Sequence, residues 1–147
     1  MRKKTLRLLA LILVLTMLLS TAAFAAMNAS AYIAATNAFI SRDGNTVNVN
    51  FWIVGTGTMD QIGVKYIYLY EKNGNSWSLV KTYAYSDPTY TTTLLASSTY
   101  VHAGYVTYSG SASKSYYADC RFYAEKNGGS DTIQQNTPTS HGTTPTP

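Results

Sequence analysis

Two histidines and one cysteine are the side chains of this 147-residue sequence best suited to general-base, nucleophilic or metal chemistry. His141 lies in a Thr/Pro-rich C-terminal stretch, so only His102 is placed to serve in a folded site. A general base or metal ligand works among other polarising groups. Here no H-x-H, H-x-x-E-H or Cys/His metal spacing surrounds His102, and its simplest role is that of a partly exposed strand histidine. Cys120 shares its strand parity with Ala118, Phe122 and Ala124, which reads as a packed interior in which a free thiol acts as a small hydrophobe. Its neighbour Arg121, the nearest source of positive charge for a reactive thiol, points to the opposite face of a strand. The carboxylates form no clustered cation loop: Asp43-Gly44-Asn45 is turn chemistry, and Asp60 in a Gly-rich segment and Asp131 after Gly128-Gly129 read as turn or cap residues. Gly55-Thr56-Gly57 lacks the Lys and helix of a phosphate cradle, and G-x-S-x-G is absent. The pattern implies no catalytic residue, no metal site and no cofactor.

Tyrosine is the feature that stands above background, with 13 in the chain, none before Tyr32. Tyr66, Tyr68 and Tyr70 alternate on one strand and must share a face. If Asn73-Gly74 is a two-residue turn, Trp77 falls opposite Tyr70, and Tyr83 and Tyr85 continue the row. Two more residues in the loop would change the partners but keep the faces. Ile67, Leu69 and Val80 then occupy the other face as core. An outward row of Tyr66, Tyr68, Tyr70, Trp77 and Tyr83 is a candidate binding face, since rigid rings make contacts at low entropic cost. The same row is also what sheet stabilisation by cross-strand aromatic pairs would produce.

The elements that position these residues are short strands. Thr, Tyr, Val, Ser and Asn dominate from residue 26 onward, and turn signals recur every eight to twelve residues. Val47, Val49, Phe51 and Ile53 alternate cleanly with polar residues and Trp52, marking a half-buried strand. The segment 55–61 interrupts it and 62–71 resumes. Further strands are expected over 32–41, 77–85, 91–96, 100–108, 114–125 and 132–136, with turns at Asp43-Gly44, Asn73-Gly74, Asp87-Pro88 and Asn127-Gly128-Gly129. About seven antiparallel strands in so short a chain bury their apolar faces most economically as a two-sheet sandwich over 32–136, immunoglobulin-like or fibronectin type III-like. Residues 137–147, rich in Thr and Pro, are expected to be a disordered tail.

The formal charge of +4 points toward anionic partners until its location is considered. Arg2, Lys3, Lys4 and Arg7 precede an apolar run, Leu8 to Leu19, and small residues around Ala23-Phe24-Ala25. That is the layout of a signal peptide, 1–25, with cleavage near Ala25 and a short lead-in over 26–31; a segment retained as an N-terminal anchor is the alternative. The remaining seven basic residues match the seven acids, so the domain after the leader is neutral and nucleic acid is a poor partner. No later segment is apolar enough to span a membrane. One cysteine excludes an internal disulfide, and the composition looks Gram-positive bacterial.

The stretch YVTYSGSASKSYYADCRFYAEKNGGSD, 105–131, resembles the end of a fibronectin type III domain. The resemblance implies a tyrosine corner, with Tyr116 or Tyr117 bonding nearby backbone; the second strand differs from that family in carrying Trp52 off the inward parity. A second likeness covers nearly the whole chain after the leader. GTGTMDQIG at 55–63, YEKNG at 70–74, Trp77 before VKTY, YSG at 108–110, KSYYA at 114–118 and FYAEKNGGSD at 122–131 follow one another as in small exported Firmicutes proteins of unknown function. It implies secretion and a β-sandwich and carries no active site. The expectation is therefore a secreted, non-enzymatic domain that binds an extracellular protein or glycan. A secreted antibacterial or toxin-like polypeptide is the alternative, and a hydrolase built on His102 the third.

Overall fold

The computed structural model describes residues 30–142; the expected signal peptide and all but the end of the lead-in lie outside them. Strands β1 (Ile33–Asp43), β2 (Thr46–Asn73), β3 (Ser76–Ala84), β4 (Leu95–Ser109), β5 (Tyr116–Lys126) and β6 (Gly129–Asn136) are joined with one helical turn, α1 (Thr91–Leu94). They form a mostly antiparallel, six-stranded sheet curled into a half-barrel. The all-β expectation holds at that level. The strand count is six rather than about seven, and hydrogen bonding joins the strands in one sheet rather than two.

Strand β2 is the spine. Its first part pairs with β1 along one edge and β4 along the other, and its second part pairs with β5 and β3. The segment 55–61, expected as an interruption, is instead a bulged continuation, with register shifts between Val54 and Met59 and between Val64 and Tyr66. Its backbone groups find partners there: Thr56 N–H donates to Tyr32 O at 3.0 Å, and the Thr56 hydroxyl donates to Ala31 O at 2.9 Å. Asp60 acts as the cap the sequence implies, accepting the Asn127 N–H at 2.7 Å. The bulges curl the sheet. They bring β1 toward β6, where Thr36 Oγ1 donates to Gln135 Oε1 at 2.8 Å and Tyr32 N–H to Asp131 Oδ2 at 3.0 Å.

The inward alternation produces the core. Val47, Val49, Phe51 and Ile53, then Met59, Ile62, Val64, Ile67 and Leu69, are buried along β2. They meet Tyr116, Ala118, Cys120, Phe122 and Ala124 of β5, all fully buried and all on the parity the sequence assigned. The hairpin turns also fall where their residue types require. Asn127 and Gly128 carry φ of 52° and 79° between β5 and β6, and Gly44 and Gly74 take the left-handed position in the other two hairpins.

Three elements depart from expectation. Residues 91–94, expected at the start of a strand, form α1 because Asp87 organises the chain ahead of it. The Asp87 carbonyl accepts the Tyr90 and Thr91 N–H groups, its carboxylate accepts the Thr89 N–H at 2.9 Å, and the Thr91 hydroxyl closes onto Tyr85 O. That turn drops Leu94 into the core. Tyr83 lies inside rather than in the outward row, because a bulge between Leu69 and Tyr70 shifts the β2–β3 register and makes Tyr83 the partner of inward Ile67. The segment read as the start of a disordered tail is tied down: Thr137 is buried and exchanges hydrogen bonds with Ala118, and Ser140 bridges to Tyr116. Residues 143–147 lie outside the described part.

Of Tyr116 and Tyr117, Tyr116 is the one that bonds nearby backbone. Its oxygen accepts the Ser111 N–H, five residues upstream, at 2.8 Å, and its hydroxyl donates to Glu71 Oε2 at 2.7 Å. Arg42 lies over the ring, 5.2 Å from its centre, and ties the same loop by donating to Ser111 O and Lys114 O. Tyr117 points to the other face. Tyr116→Phe should therefore lower unfolding free energy by about 1–3 kcal/mol, because it leaves a carboxylate oxygen and an N–H without partners. Tyr117→Phe, which loses no hydrogen bond of this kind, should change it by about 0.5 kcal/mol or less; urea denaturation of both variants is the check. Gly63 gives a second expectation, since a Cβ there would stand 2.0 Å from Leu94 O, a backbone atom, at a φ of +154°. Gly63→Ala should cost about 1–3 kcal/mol or more by the same measurement, and full stability in that variant would mean β2 and α1 do not approach this closely.

Candidate functional site

Burial fixes which face of the 62–85 hairpin is the outer one. Ile67 and Leu69 are inside, and Tyr66, Tyr68 and Tyr70 are half-exposed on the outer surface. Trp77 joins them, through a register in which it pairs with Lys72 while Tyr70 pairs with Leu79. The two-residue turn is thus Gly74-Asn75, one residue further along than Asn73-Gly74, which moves each cross-strand partner by two and keeps Trp77 on the face of Tyr70.

The ring that assembles this surface is one the sequence did not single out. Tyr117 of β5 pairs with Tyr70 and stacks on it in parallel, with centroids 4.8 Å apart. Trp77 meets Tyr117 edge-on at 4.7 Å. Further along, Tyr66 stacks on Tyr68 at 5.9 Å and meets Tyr85 edge-on at 6.0 Å. Lys65 lies 3.5 Å from the centre of the Tyr123 ring and 5.5 Å from that of Tyr85. Each such contact stabilises the sheet, by about 0.5–1.5 kcal/mol for an aromatic pair. Tyr83, by contrast, contributes to the core: its hydroxyl donates to Thr107 O at 2.7 Å and its ring meets Tyr90 edge-on.

Polar groups sit among the rings on β5 and β6. Asp119, the cross-strand partner of Tyr68, is buried, and its Oδ2 accepts from Arg121 Nη2 at 3.1 Å and Gln134 Nε2 at 2.9 Å. Asp119 Oδ1 and Arg121 Nε are buried without a protein partner. Burial, then the nearby Tyr70 and Asp119, hold the Tyr117 phenol above its ordinary range. The surface is therefore neutral phenols around an internally paired carboxylate. Outward parity on β5, with Tyr117, Asp119, Arg121 and Tyr123 alternating against the core set, was visible in sequence; its pairing with β2 was not.

The residues with catalytic potential are held by packing. His102 Nε2–H donates to Thr93 O at 2.8 Å, and the ring lies 5.8 Å from Phe51. Cys120 is buried, and burial followed by the charge of Asp119 pushes its thiol up to about 12. Among the described residues no group of three or more His, Cys, Asp and Glu is placed to hold a metal ion. Among them, too, no helix is long and apolar enough to cross a membrane. No family model, curated protein or solved structure matches this chain.

The buried phenols and thiol make stability depend on alkaline pH. Burial raises Tyr83 and Tyr116, and the hydrogen bond donated to Glu71 raises Tyr116 further. The unfolded chain releases these protons near pH 9 for the thiol and pH 10 for the phenols, whereas the folded chain keeps them. Stability is thus fully present below about pH 9 and is lost as pH rises above it. The urea midpoint should be flat near neutrality and fall progressively above that point. Cys120 should resist a thiol reagent in the native protein and react once urea unfolds it; rapid native labelling would place the thiol at the surface.

Proposed function

We propose that this chain is an exported, non-enzymatic domain that works by contact, and that the face built from Tyr66, Tyr68, Tyr70, Trp77 and Tyr117 engages a surface glycan or protein. The observation that carries this reading is the Tyr70–Tyr117–Trp77 assembly, in which rings from three strands hold one another on the outer surface. Rings fixed in this way bind with little further loss of freedom. Export is supported by the basic, apolar and small-residue order of the first 25 positions. An extracellular partner without strong charge is supported by the even balance of acids and bases after that leader.

The finer architecture proposed is an immunoglobulin-like or fibronectin type III-like sandwich. Two features support it: β1 pairs only with the first part of β2 and β3 and β5 only with the second, around one core, and Tyr116 makes the corner hydrogen bond to Ser111. The ordered series from GTGTMDQIG to FYAEKNGGSD supports kinship with small exported Firmicutes proteins.

Binding of purified protein to glycan arrays and bacterial cell-envelope preparations tests the functional reading. Tyr68→Ala and Trp77→Ala should each weaken a detected interaction by about tenfold or more, while thermal melts show the fold retained. An interaction that both variants leave unchanged removes this face from the role.

A further inference from the structure

The first part of β2 carries a second outer surface with different physics. Val47, Val49, Phe51 and Ile53 point inward, so Asn48, Asn50, Trp52 and Val54 point out. Their cross-strand partners share that face. Phe39 and Tyr105 flank Asn50 from β1 and β4, Asn37 and Ala103 flank Trp52, and Val101 adjoins Val54. Phe39, Trp52, Val101 and Tyr105 are 44%, 36%, 42% and 60% exposed, more than half of the large apolar side chains that are exposed in the described chain.

Two properties separate this surface from the tyrosine face. Among the described residues none of Phe39, Trp52 and Tyr105 makes a ring contact with another aromatic, so their π faces are not used within the sheet. The outward positions from Ala35 to Ser41, Asn48 to Val54 and Val101 to Thr107 also include no charged residue; the first along the face is Asp43, paired with Thr46 beyond Ser41. Amides lie between the rings and are held in place. Asn50 Nδ2 donates to Ser41 Oγ at 2.9 Å and to Asn48 O at 3.2 Å, and Thr107 Oγ1 donates to Asn48 Oδ1 at 2.9 Å. Asn50 Oδ1 and Asn48 Nδ2 make no hydrogen bond within the described residues and stand ready as acceptor and donor.

We infer that this surface is a binding site for a neutral, extended polysaccharide chain. The apolar C–H face of a sugar ring stacks on an aromatic ring, and its hydroxyls exchange hydrogen bonds with amides. Phe39 and Tyr105, two strand spacings apart or roughly 10 Å, with Trp52 offset along the middle strand, give stacking positions across the three strands. The absence of charge fits an uncharged ligand, since an anionic polymer would find no cation here. A second copy of the chain is a poorer fit. Three strands by about seven residues present roughly 300–350 Å², less than half of the ~800 Å² per partner of a stable interface.

The test is retention of the purified protein on microcrystalline cellulose and on chitin, both neutral and β-linked. Retention on at least one, unchanged between low and high salt, is expected. Trp52→Ala and Tyr105→Ala should each reduce it by about tenfold or more with the thermal melt retained. Tyr105, the more exposed of the two, keeps the test decisive if Trp52→Ala fails to fold. Tyr68→Ala and Trp77→Ala should leave retention unaltered, which separates this site from the tyrosine face. No retention on either polymer overturns the inference, as does retention that survives both variants or is lost only in the Tyr68 and Trp77 variants. A self-association that Tyr105→Ala abolishes, without polymer binding, would instead make the surface an interface between copies.

Discussion

The 28-residue strand β2 is the constraint on which the rest of the structure depends. Four of the other five strands pair directly with it, and only β6 is attached at second hand, through β5. Every inward side chain of β2 must therefore fit a core that two different strand sets help to build. A straight strand of this length would leave one flat sheet with an uncovered apolar side. The bulges at 54–59 and 64–66 solve that problem by bending the strand, and Gly55 and Gly63 provide the room. A Cβ at Gly55 would meet the Met59 side chain at 2.9 Å, so the bend is packed tightly from within. Curling the sheet covers the inner face with the protein itself and leaves the outer face in two stretches along the same strand.

Those two stretches explain why the molecule carries two kinds of aromatic surface. Where β5 lies beside β2, tyrosines face tyrosines, and much of their area is used in stabilising the sheet. Where β1 and β4 flank β2, aromatic rings face asparagines and alanines instead, and their faces are left to solvent. The neutral balance of the domain fits both surfaces, because neither depends on long-range charge. The salt bridges play little part: Arg121–Asp119 and Lys114–Glu71 each include a cation more than a third exposed, where such pairs contribute little.

Local pattern carried much of this in the sequence. The alternation at 47–53 and 116–124 was legible because one face of each strand is fully apolar, and the Gly44, Gly74 and Asn127-Gly128 turns because few residues tolerate left-handed backbone. The core role of Cys120 followed from its parity. What was hidden depends on contacts distant in sequence. The Gly-rich 55–61 segment looks like a loop, and partners distant in sequence, at Ala31, Tyr32, β4 and the end of β5, make it strand. Tyr83 reads as outward until a bulge at Leu69 shifts its register. Tyr117 organises the tyrosine face through a partner 47 residues earlier, Tyr70, which no local pattern specifies. Thr137 looks like tail because its hydrogen bonds are to Ala118.

If β2 is a single spine, its two parts cannot open separately, and native-state hydrogen exchange followed by NMR measures this directly. The inward amides of 47–53 and of 62–69 should exchange with the same free energy, equal to that of global unfolding. A lower, separate opening free energy for the β3–β2–β5–β6 portion, with 47–53 still protected, would contradict the account. It would mean that β2 is two strands in sequence, joined by a flexible segment at 55–61.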